Sequence, residues 1–244
     1  MKAFVLAGGL GTRLRGVLND APKPMARFGD HPFLEYLVVQ LQLQGFCEVV
    51  FCAGHLGQQI RAYFGDGSGW GGQIVYSQED GPLGTGGALK LAARRHGKDG
   101  ELLVMNGDSF LQADLRTLVA FHLNRKALAT MALVRVSDTS RFGRVDISAT
   151  NEIVRMTEKG ESGAGWINGG IYVLSQNALE FIPDGPASLE RDVFPRLIGS
   201  GFYGFPVEGF FVDIGVPEDL KQLQEHPEPL LLVMRLDRTR RLSC

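Results

Sequence analysis

The sequence predicts an α/β fold in which a mixed, mostly parallel sheet is flanked by helices. Short apolar runs that suit buried strands alternate with longer segments whose apolar residues recur at helical spacing. The first run, Phe4–Ala7, ends at Gly8 and Gly9, and a glycine turn after a buried strand is typical of parallel sheets that bind ligands. The chain has 244 residues, 44% hydrophobic and 21% charged, so it fits one sizeable domain with a buried core. We expect that domain over residues 1–226 and a tail of unknown role over residues 227–244.

The first half of the chain carries the alternation most clearly. Apolar Leu34, Leu37 and Leu41 recur at helical spacing after Pro32, whereas the neighbouring strands are short apolar runs. A β-α-β-α-β order argues for parallel pairing with right-handed crossovers, and for ligands at the carboxyl ends of the strands. In chain order we expect a strand at Phe4–Ala7, a helix at Phe33–Gln44, a strand at Glu48–Ala53, a helix at Leu56–Phe64, a strand at Gln73–Ser77, a helix from about Thr85, a strand at Glu101–Asn106, a helix from Asp114 to Asn124 and a strand at Ala129–Val136.

The pattern changes in the second half. Gly143–Ile147 and Ile153–Glu158 predict a hairpin, and with the strand that follows they predict a small β-rich lobe at about residues 143–172. The segment Ser188–Ile198 predicts a helix that Ser188 caps and Pro195 kinks or stops. Further strands are expected at Trp166–Leu174, Phe202–Pro206 and Phe210–Ile214, and a helix from Pro217.

Charge and cysteine content limit the classes of partner. The net charge is −2, from 25 basic and 27 acidic residues, which gives no broad positive surface for nucleic acid or membrane. The three cysteines, Cys47, Cys52 and Cys244, lack C-x-x-C spacing and are odd in number, which favours reduced thiols and a cytoplasmic location. The first apolar run breaks at Gly8, too early for a signal peptide, and no stretch approaches membrane-spanning length.

The segment from Gly8 to Lys23 combines glycines with two cations. Glycines bring backbone N–H groups close to a ligand, and Arg13 and Lys23 follow within reach, so phosphate is the ligand that suits this loop. A Walker loop is excluded because no G-K-[ST] follows, and the dinucleotide fingerprint fails because Leu14 stands where its third glycine belongs. A plain turn remains the alternative.

Asp108 follows the predicted strand Glu101–Asn106, at the edge of the sheet where the phosphate loop lies. Mg²⁺ takes one or two carboxylates together with phosphate oxygens, so Asp108 is a candidate metal ligand, although an aspartate here can also simply cap a loop. A glycosyltransferase D-x-D motif is absent because Phe110 stands at its second position.

Four blocks, in order, resemble the sugar-1-phosphate nucleotidyltransferases. They are G-G-x-G-T-R-L…K-P at the start, P-L-G-T-G-G-A after the third strand, E-K at the end of the hairpin, and F-V-D-I-G-V-P-E-D-L near residue 215. The resemblance extends from about Met1 to Gln224. It implies transfer of a nucleoside monophosphate from an NTP to a sugar 1-phosphate, with Mg²⁺ as cofactor and release of pyrophosphate.

The resemblance also implies roles for individual residues. An exposed Glu-Lys pair is by itself more typical of a solvated face, and glycines within a strand by themselves suggest only close approach of a ligand. By the family pattern the catalytic residues are Arg13, Lys23 and Asp108; the nucleotide-binding residues are Leu6, Ala7, Gly8, Gly9, Gly11, Thr12, Gln78, Gly84 and Asn106; the sugar phosphate-binding residues are Glu158, Lys159, Asn168, Gly169 and Gly170; and the metal ligands are Asp108 and Asp213.

Within the family, the phrases around Asn106, Asn168 and Asp213 are similar to those of D-glycero-D-manno-heptose 1-phosphate guanylyltransferases. They favour GTP and that heptose 1-phosphate as substrates. Gly57–Ile60 and Gly65–Ser68 instead resemble uridylyltransferases, so UTP or dTTP with N-acetylmuramate, glucose or mannose 1-phosphate is the alternative. A glycosyltransferase that uses a nucleotide sugar and a non-catalytic relative also stay open, as does assembly into a homo-oligomer.

Overall fold

The computed structural model describes residues 1–9, 22–54, 56–97, 100–215 and 217–239. Short 3₁₀-helices lie at Lys23–Met25, Ser68–Trp70 and Gln176–Phe181, and a π-helix at Leu189–Val193. The strands and α-helices are β1 (Ala3–Leu6), β2 (Arg27–Phe28), β3 (His31–Pro32), α1 (Phe33–Leu43), β4 (Glu48–Ala53), α2 (Gly57–Phe64), β5 (Gln73–Gln78), α3 (Gly84–His96), β6 (Leu102–Asn106), β7 (Ser109–Leu111), α4 (Leu115–Arg125), β8 (Ala129–Val136), β9 (Val145–Ile147), β10 (Ile153–Met156), β11 (Gly165–Leu174), α5 (Phe194–Leu197), β12 (Phe202–Val207), β13 (Phe211–Asp213), α6 (Pro217–Glu225) and α7 (Glu228–Thr239).

The parallel half of the sheet has the strand order β5-β4-β1-β6. The chain runs from β1 outward through β4 to β5 and then returns to pair β6 on the other side of β1. Leu6, the last residue of β1, is therefore paired with Cys52 on one side and with Asn106 on the other. Open parallel sheets bind ligands where the strand order reverses, and here that place is the carboxyl end of β1 and β6.

The other half of the sheet is mixed. Strand β11 runs antiparallel to β6 and β8, and β12 is parallel to β8. The predicted hairpin is present as β9 and β10, and it joins the sheet through the pair Trp166 and Val145. The lobe expected at about residues 143–172 is thus an extension of the central sheet. The mixed, mostly parallel sheet flanked by helices confirms the predicted fold class.

Both faces of the sheet are covered by apolar side chains. Phe33 and Leu37 of α1 pack with Phe51 on one face, and Leu89 of α3 packs with Phe4 on the other. All of these side chains are essentially buried. Helices on both faces explain why the parallel strands are continuously apolar, since neither side of them meets water.

The segment after Pro227, for which the sequence matched no family pattern, forms helix α7. Its Leu230 and Val233 are buried in the cluster that includes α1, so the helix belongs to the folded body. Residues 240–244 lie outside the described part of the chain.

The cysteines only partly follow expectation. Cys52, on β4, is a free and buried thiol, as predicted. Cys47 is disulfide-bonded, which corrects the prediction of reduced thiols at that position, and Cys244 lies outside the described residues. Among the described helices none has both the length and the apolar composition needed to cross a bilayer. The cytoplasmic location stays a prediction.

Candidate active site

A cavity of about 510 Å³ opens at the carboxyl ends of the parallel strands. Its floor is formed by the ends of β1, β4 and β6, and its walls by the start of α3, by Asp108 after β6 and by Asp213 at the end of β13. Of the residues predicted from the sequence, it is lined by Leu6, Gly8, Gly9, Lys23, Gly84, Asn106, Asp108 and Asp213. Predictions from motifs far apart in the chain therefore converge on one cavity.

A lysine and two aspartates form the charged centre of this cavity. The Lys23 Nζ atom lies 2.5 Å from Asp108 Oδ2 and 3.9 Å from Asp213 Oδ1. Burial, and then the negative charge of Asp108, raise the pKa of the Asp213 carboxyl, while Lys23 opposes that shift. Two partly buried carboxylates sharing one ammonium form a site that favours additional positive charge.

Local pairing holds the two aspartates together. Strand β13 runs antiparallel to β7, which places Asp213 opposite Ser109, the residue after Asp108. The Ile214 amide donates to the Asp108 carbonyl at 3.0 Å, and the Gly215 amide donates to Asp213 Oδ1 at 2.6 Å. The geometry of the two carboxylates is thus fixed by backbone pairing rather than by the lysine alone.

The donor set of this pair fits Mg²⁺. Two carboxylates, with phosphate oxygens to complete the shell, are what that ion takes in phosphate-binding sites, and a bound cation would relieve the repulsion that raises the pKa of Asp213. Within the described residues no group of three or more carboxylate, histidine or cysteine side chains offers a complete protein cage.

A second cavity, of about 480 Å³, adjoins the first and shares Gly8, Glu79 and Pro82 with it. Gln78, predicted to reach the nucleotide base, lines this cavity with an exposed side chain. Glu79, which the sequence analysis did not single out, is half-buried between the two cavities. Its Oε2 accepts the Leu83 amide at 3.1 Å, and burial raises the pKa of its carboxyl. No cation pairs with it within the described residues.

Gly84 opens helix α3 with φ +68°, a conformation that side chains rarely adopt. A Cβ there would also collide with the Ala187 carbonyl. The amides of Gly86 and Gly87 donate to that same carbonyl at 2.8 and 3.3 Å. The glycine-rich phrase is therefore required by close packing of α3 on residue 187, in addition to its place in the cavity wall.

A third cavity, of about 320 Å³, lies on the side of the β9–β10 hairpin. It contains three of the residues predicted to bind sugar phosphate, Glu158, Lys159 and Asn168; the first two are exposed. Arg144 and Arg191 line it as well. Arg144 is paired with Asp146 at 2.7 Å, so Lys159 and Arg191 are the cations that suit a phosphate group in this cavity.

Gly169 and Gly170 line none of these three cavities. They lie where the register of β11 against β8 shifts, and a Cβ on Gly170 would collide with Ser109 Oγ. The Gly170 amide donates to Asn168 Oδ1 at 2.8 Å. Packing within the sheet explains both glycines, and their contact with a sugar stays a prediction.

Glu190, on the π-helix, lines both the 510 Å³ and the 320 Å³ cavities. Its Oε2 accepts the hydroxyls of Thr85 and Ser188, each at 3.1 Å, and its Oε1 accepts the hydroxyl of buried Tyr172 at 3.4 Å. The Tyr172 oxygen in turn accepts the Asn168 amide at 2.7 Å. No pattern in the sequence indicated Glu190, since an acidic residue in the first turn of a capped helix is commonplace.

The remaining predictions of site residues divide into two groups. Ala7 is buried, and its amide donates to the Cys52 carbonyl at 2.9 Å, so its backbone supports the floor beneath Gly8. Gly11, Thr12 and Arg13 lie outside the described residues, and their predicted phosphate contacts stay predictions.

Comparisons with known proteins agree with this architecture. Residues 2–228 match the family described as nucleotidyl transferase. A D-glycero-alpha-D-manno-heptose 1-phosphate guanylyltransferase of Aneurinibacillus thermoaerophilus is 37% identical over 227 residues, which are 92% of this chain and 97% of that protein. A mannose-1-phosphate guanylyltransferase of Mycobacterium tuberculosis is 40% identical, but the match spans only 62% of its length.

Two solved structures superpose closely on this chain. The crystal structure of HddC from Yersinia pseudotuberculosis superposes with a TM-score of 0.82 at 33% identity, covering 92% of this chain and 98% of that one. The same protein complexed with GMP-PN superposes with a TM-score of 0.81. The family resemblance predicted from the sequence is thereby confirmed, and the chain belongs to the nucleotidyl transferase family.

Proposed function

We propose that this chain transfers GMP from GTP to D-glycero-D-manno-heptose 1-phosphate, giving a GDP-sugar and pyrophosphate. The observation that carries the proposal is the set of three contiguous cavities. The central one holds the Lys23, Asp108 and Asp213 cluster, Glu79 joins it to the second cavity, and Glu190 joins it to the third. Base, phosphates and sugar phosphate each have a compartment in this arrangement.

The reaction needs no general base. The second pKa of a sugar phosphate is near ~6, so its oxygen is already anionic at neutral pH. That oxygen forms a bond to the α-phosphorus of the NTP, the bond from the α-phosphorus to the bridging oxygen breaks, and pyrophosphate carries the electron pair away. The task of the protein is to bring two polyanions together in line, which requires positive charge and fixed positions.

The cations are distributed to suit that task. Lys23 lies in the central cavity for the α-phosphate region, and Lys159 lines the third cavity for the incoming phosphate. Arg13 and the amides of the glycine loop are expected to hold the leaving phosphates, as the family resemblance implies. Asp108 and Asp213 are the carboxylates that would hold Mg²⁺, which supplies charge neutralisation when it is bound.

Two observations support guanine as the base. The relatives named above are guanylyltransferases, and one similar structure was solved with GMP-PN. The Glu79 carboxylate between the first two cavities is an acceptor without a cation within the described residues, and the Watson–Crick edge of guanine carries N1–H and N2–H donors. Uracil and thymine have only one such donor.

The heptose rather than mannose is favoured by the phrases around Asn106, Asn168 and Asp213, which resemble those of heptose 1-phosphate guanylyltransferases. The heptose 1-phosphate guanylyltransferases of Aneurinibacillus and of Campylobacter jejuni are 37% and 36% identical to this chain over 92% and 90% of its length. Mannose 1-phosphate is the second candidate, because the Mycobacterium relative shares 40% identity over the common part.

The test is a matrix of substrates with pyrophosphate release as the readout. GTP, UTP, dTTP, CTP and ATP are each combined with heptose, mannose, glucose and N-acetylmuramate 1-phosphates, and each NTP is also run without acceptor. We expect release only with an acceptor and the highest kcat/KM for GTP with the heptose. A preference for UTP would overturn the base and keep the reaction class, whereas acceptor-independent release would overturn the class.

A further inference from the structure

We infer that Glu190 accepts a hydrogen bond from one ring hydroxyl of the incoming sugar and so helps to select that sugar. The inference rests on the proposed function, because it assigns the third cavity to a sugar phosphate. It adds to Glu158, Lys159 and Asn168 a residue that belongs to no motif in the sequence and that the structure alone brings into the site.

The backbone around Glu190 explains its position. Leu189–Val193 is a π-helix, whose wider turn is uncommon and is found frequently at functional sites. Ser188 caps this turn by accepting the Arg191 amide, and its own amide donates to Asp192 at 2.7 Å. The Leu189 amide donates to Thr85 Oγ1 at 2.8 Å, which ties the turn to helix α3. Glu190 is therefore presented from a well-anchored turn.

The hydrogen bonds of Glu190 leave one acceptor position open. A carboxylate has about four lone-pair positions, two on each oxygen. The Oε2 atom accepts two hydroxyls, from Thr85 and Ser188, while Oε1 accepts only the Tyr172 hydroxyl at 3.4 Å. Burial and the charge of Glu190 raise the pKa of Tyr172 well above its ordinary value, so that hydroxyl keeps its proton and donates. The open position on Oε1 suits a donor from a ligand, and a sugar hydroxyl is such a donor.

The surroundings indicate the sugar rather than the ribose of the nucleotide. Of residues 188–193, Glu190 alone lines the 510 Å³ cavity, whereas Ser188, Glu190 and Arg191 all line the 320 Å³ cavity. Asn168 lines the 320 Å³ cavity as well. No lysine or arginine pairs with Glu190 among the described residues. A carboxylate held by hydroxyls and free of cations is a hydroxyl-binding group, and it would repel a phosphate.

The experiment compares sugars that each lack one hydroxyl. The kcat/KM values for a manno-configured sugar 1-phosphate and for its 2-, 3-, 4- and 6-deoxy analogues are measured by pyrophosphate release at saturating GTP. We expect the wild-type enzyme to discriminate against one analogue by about 10- to 100-fold, the range for a hydrogen bond to a charged acceptor. In Glu190→Ala the kcat/KM for that analogue should come within about threefold of the value for the parent sugar. The ratios of kcat/KM between the parent sugar and the other analogues should not change.

Controls separate this role from a structural one. The dissociation constant of a non-hydrolysable GTP analogue should change less than about twofold in Glu190→Ala, and Glu180→Ala should leave every ratio unchanged. Glu190→Gln keeps the shape and one acceptor oxygen, so it should show intermediate discrimination, and it replaces the alanine variant if that variant unfolds.

Two results would overturn the inference. The first is unchanged discrimination against every deoxy sugar in both variants. The second comes from comparing GTP with 2′-deoxy-GTP: if the variants lose discrimination only against 2′-deoxy-GTP, Glu190 is assigned to the ribose. A wild-type enzyme that accepts no sugar 1-phosphate would instead overturn the proposed function, and the two failures are therefore distinguishable.

Discussion

At the scale of single residues, the charge balance of the central cavity is decided by Asp213. Its carboxyl is held beside Asp108 by strand pairing, and burial together with that neighbour makes its ionised form costly. Replacing Asp213 with Asn should therefore raise the melting temperature of the metal-free chain while lowering kcat by about 100-fold or more, as expected when electrostatic stabilisation of a transition state is lost. Differential scanning calorimetry in EDTA and steady-state kinetics with Mg²⁺ measure the two effects.

Asp30→Asn serves as the matched control for Asp213→Asn. Asp30 is exposed in the turn between β2 and β3, so its substitution should change neither quantity. If Asp213→Asn lowered the melting temperature in EDTA as well as kcat, the assignment would be contradicted, because the residue would then be structural.

A second residue-scale prediction concerns the base. If Glu79 accepts two N–H groups of guanine, Glu79→Gln can accept one and must donate at the other position. Xanthine, which has an oxygen in place of the 2-amino group, offers the acceptor that this variant requires. We expect the ratio of kcat/KM for GTP to kcat/KM for XTP to fall by about 100-fold or more. The variant loses the bidentate pair with guanine and gains one with xanthine, and each such pair is worth about 1–3 kcal/mol.

Glu180→Gln makes the same change at an exposed position outside the three cavities and should keep the wild-type preference for GTP. Unchanged preference in Glu79→Gln would mean that guanine is recognised elsewhere, for example by Gln78, which the family resemblance implies as a nucleotide-binding residue.

Residues differed in how far sequence alone could predict them. Asp108 was predicted because it follows a strand beside the phosphate loop, and Asp213 because it belongs to a family phrase; the structure places both beside Lys23. Glu79 and Glu190, to which we assign proposed roles, were not predicted, because those roles are argued from burial and from hydrogen-bond partners. An acidic residue in a turn has the same sequence signature whether it faces solvent or a cavity.

At the scale of elements, the N-cap of α4 offers a prediction that is independent of function. Asp114 was expected to cap this helix, and its Oδ1 accepts the Thr117 amide at 2.9 Å. That hydrogen bond lowers the pKa of Asp114, so its stabilising effect is present above the carboxyl's unfolded pKa and is lost as pH falls through the lowered value. Asp114→Ala should lower the free energy of unfolding by about 1 kcal/mol at pH 7.

Denaturant unfolding at pH 7 and in acid tests this prediction. Asp114→Asn retains a side-chain acceptor and should lose less than the alanine variant at neutral pH. The difference between wild type and the asparagine variant should shrink as the pH falls below the lowered pKa. A penalty that stays constant with pH would mean that the charge of Asp114 does not contribute.

Elements were predictable where the apolar pattern was long enough. Strands β4 and β8 have the predicted limits, and α1 ends one residue earlier than expected. Strand β7 was missed because its three residues carry no period of their own and are extended only through pairing with β13. The π-helix was missed as well, because Ser188 and the residues after it equally suit an α-helix, and its wider turn depends on contacts with Thr85.

At the scale of the whole molecule, the site lies where the chain reverses direction across the sheet. Alternating strands and helices predicted a parallel sheet, and the parallel order β5-β4-β1-β6 confirms it. The ligand expected at the carboxyl edge of that sheet stays a prediction. The strand order of the mixed half was not predicted, because the pairing of β11 between β6 and β8 joins strands distant in sequence. On β11 the Asn168 amide donates to the Tyr172 hydroxyl at 2.7 Å, and Asn168 lines the 320 Å³ cavity.

Because the charged centre consists of two carboxylates and one ammonium, binding of a triphosphate should be linked to a divalent cation and to the stability of the whole chain. A non-hydrolysable GTP analogue at about 100 times its Kd should stabilise the folded state by about 2.7 kcal/mol. For a chain of this size that corresponds to a rise in Tm of about 5–11 °C.

We expect most of this shift with Mg²⁺ and little of it in EDTA, since two carboxylates facing phosphates without a divalent ion would repel them. In Asp108→Asn and Asp213→Asn the difference between Mg²⁺ and EDTA should shrink, and a UTP analogue in Mg²⁺ should raise the wild-type Tm less than the GTP analogue. An equal shift in Mg²⁺ and EDTA would show that the ammonium of Lys23 and the cations of the glycine loop suffice, and the two aspartates would then need a role other than metal binding.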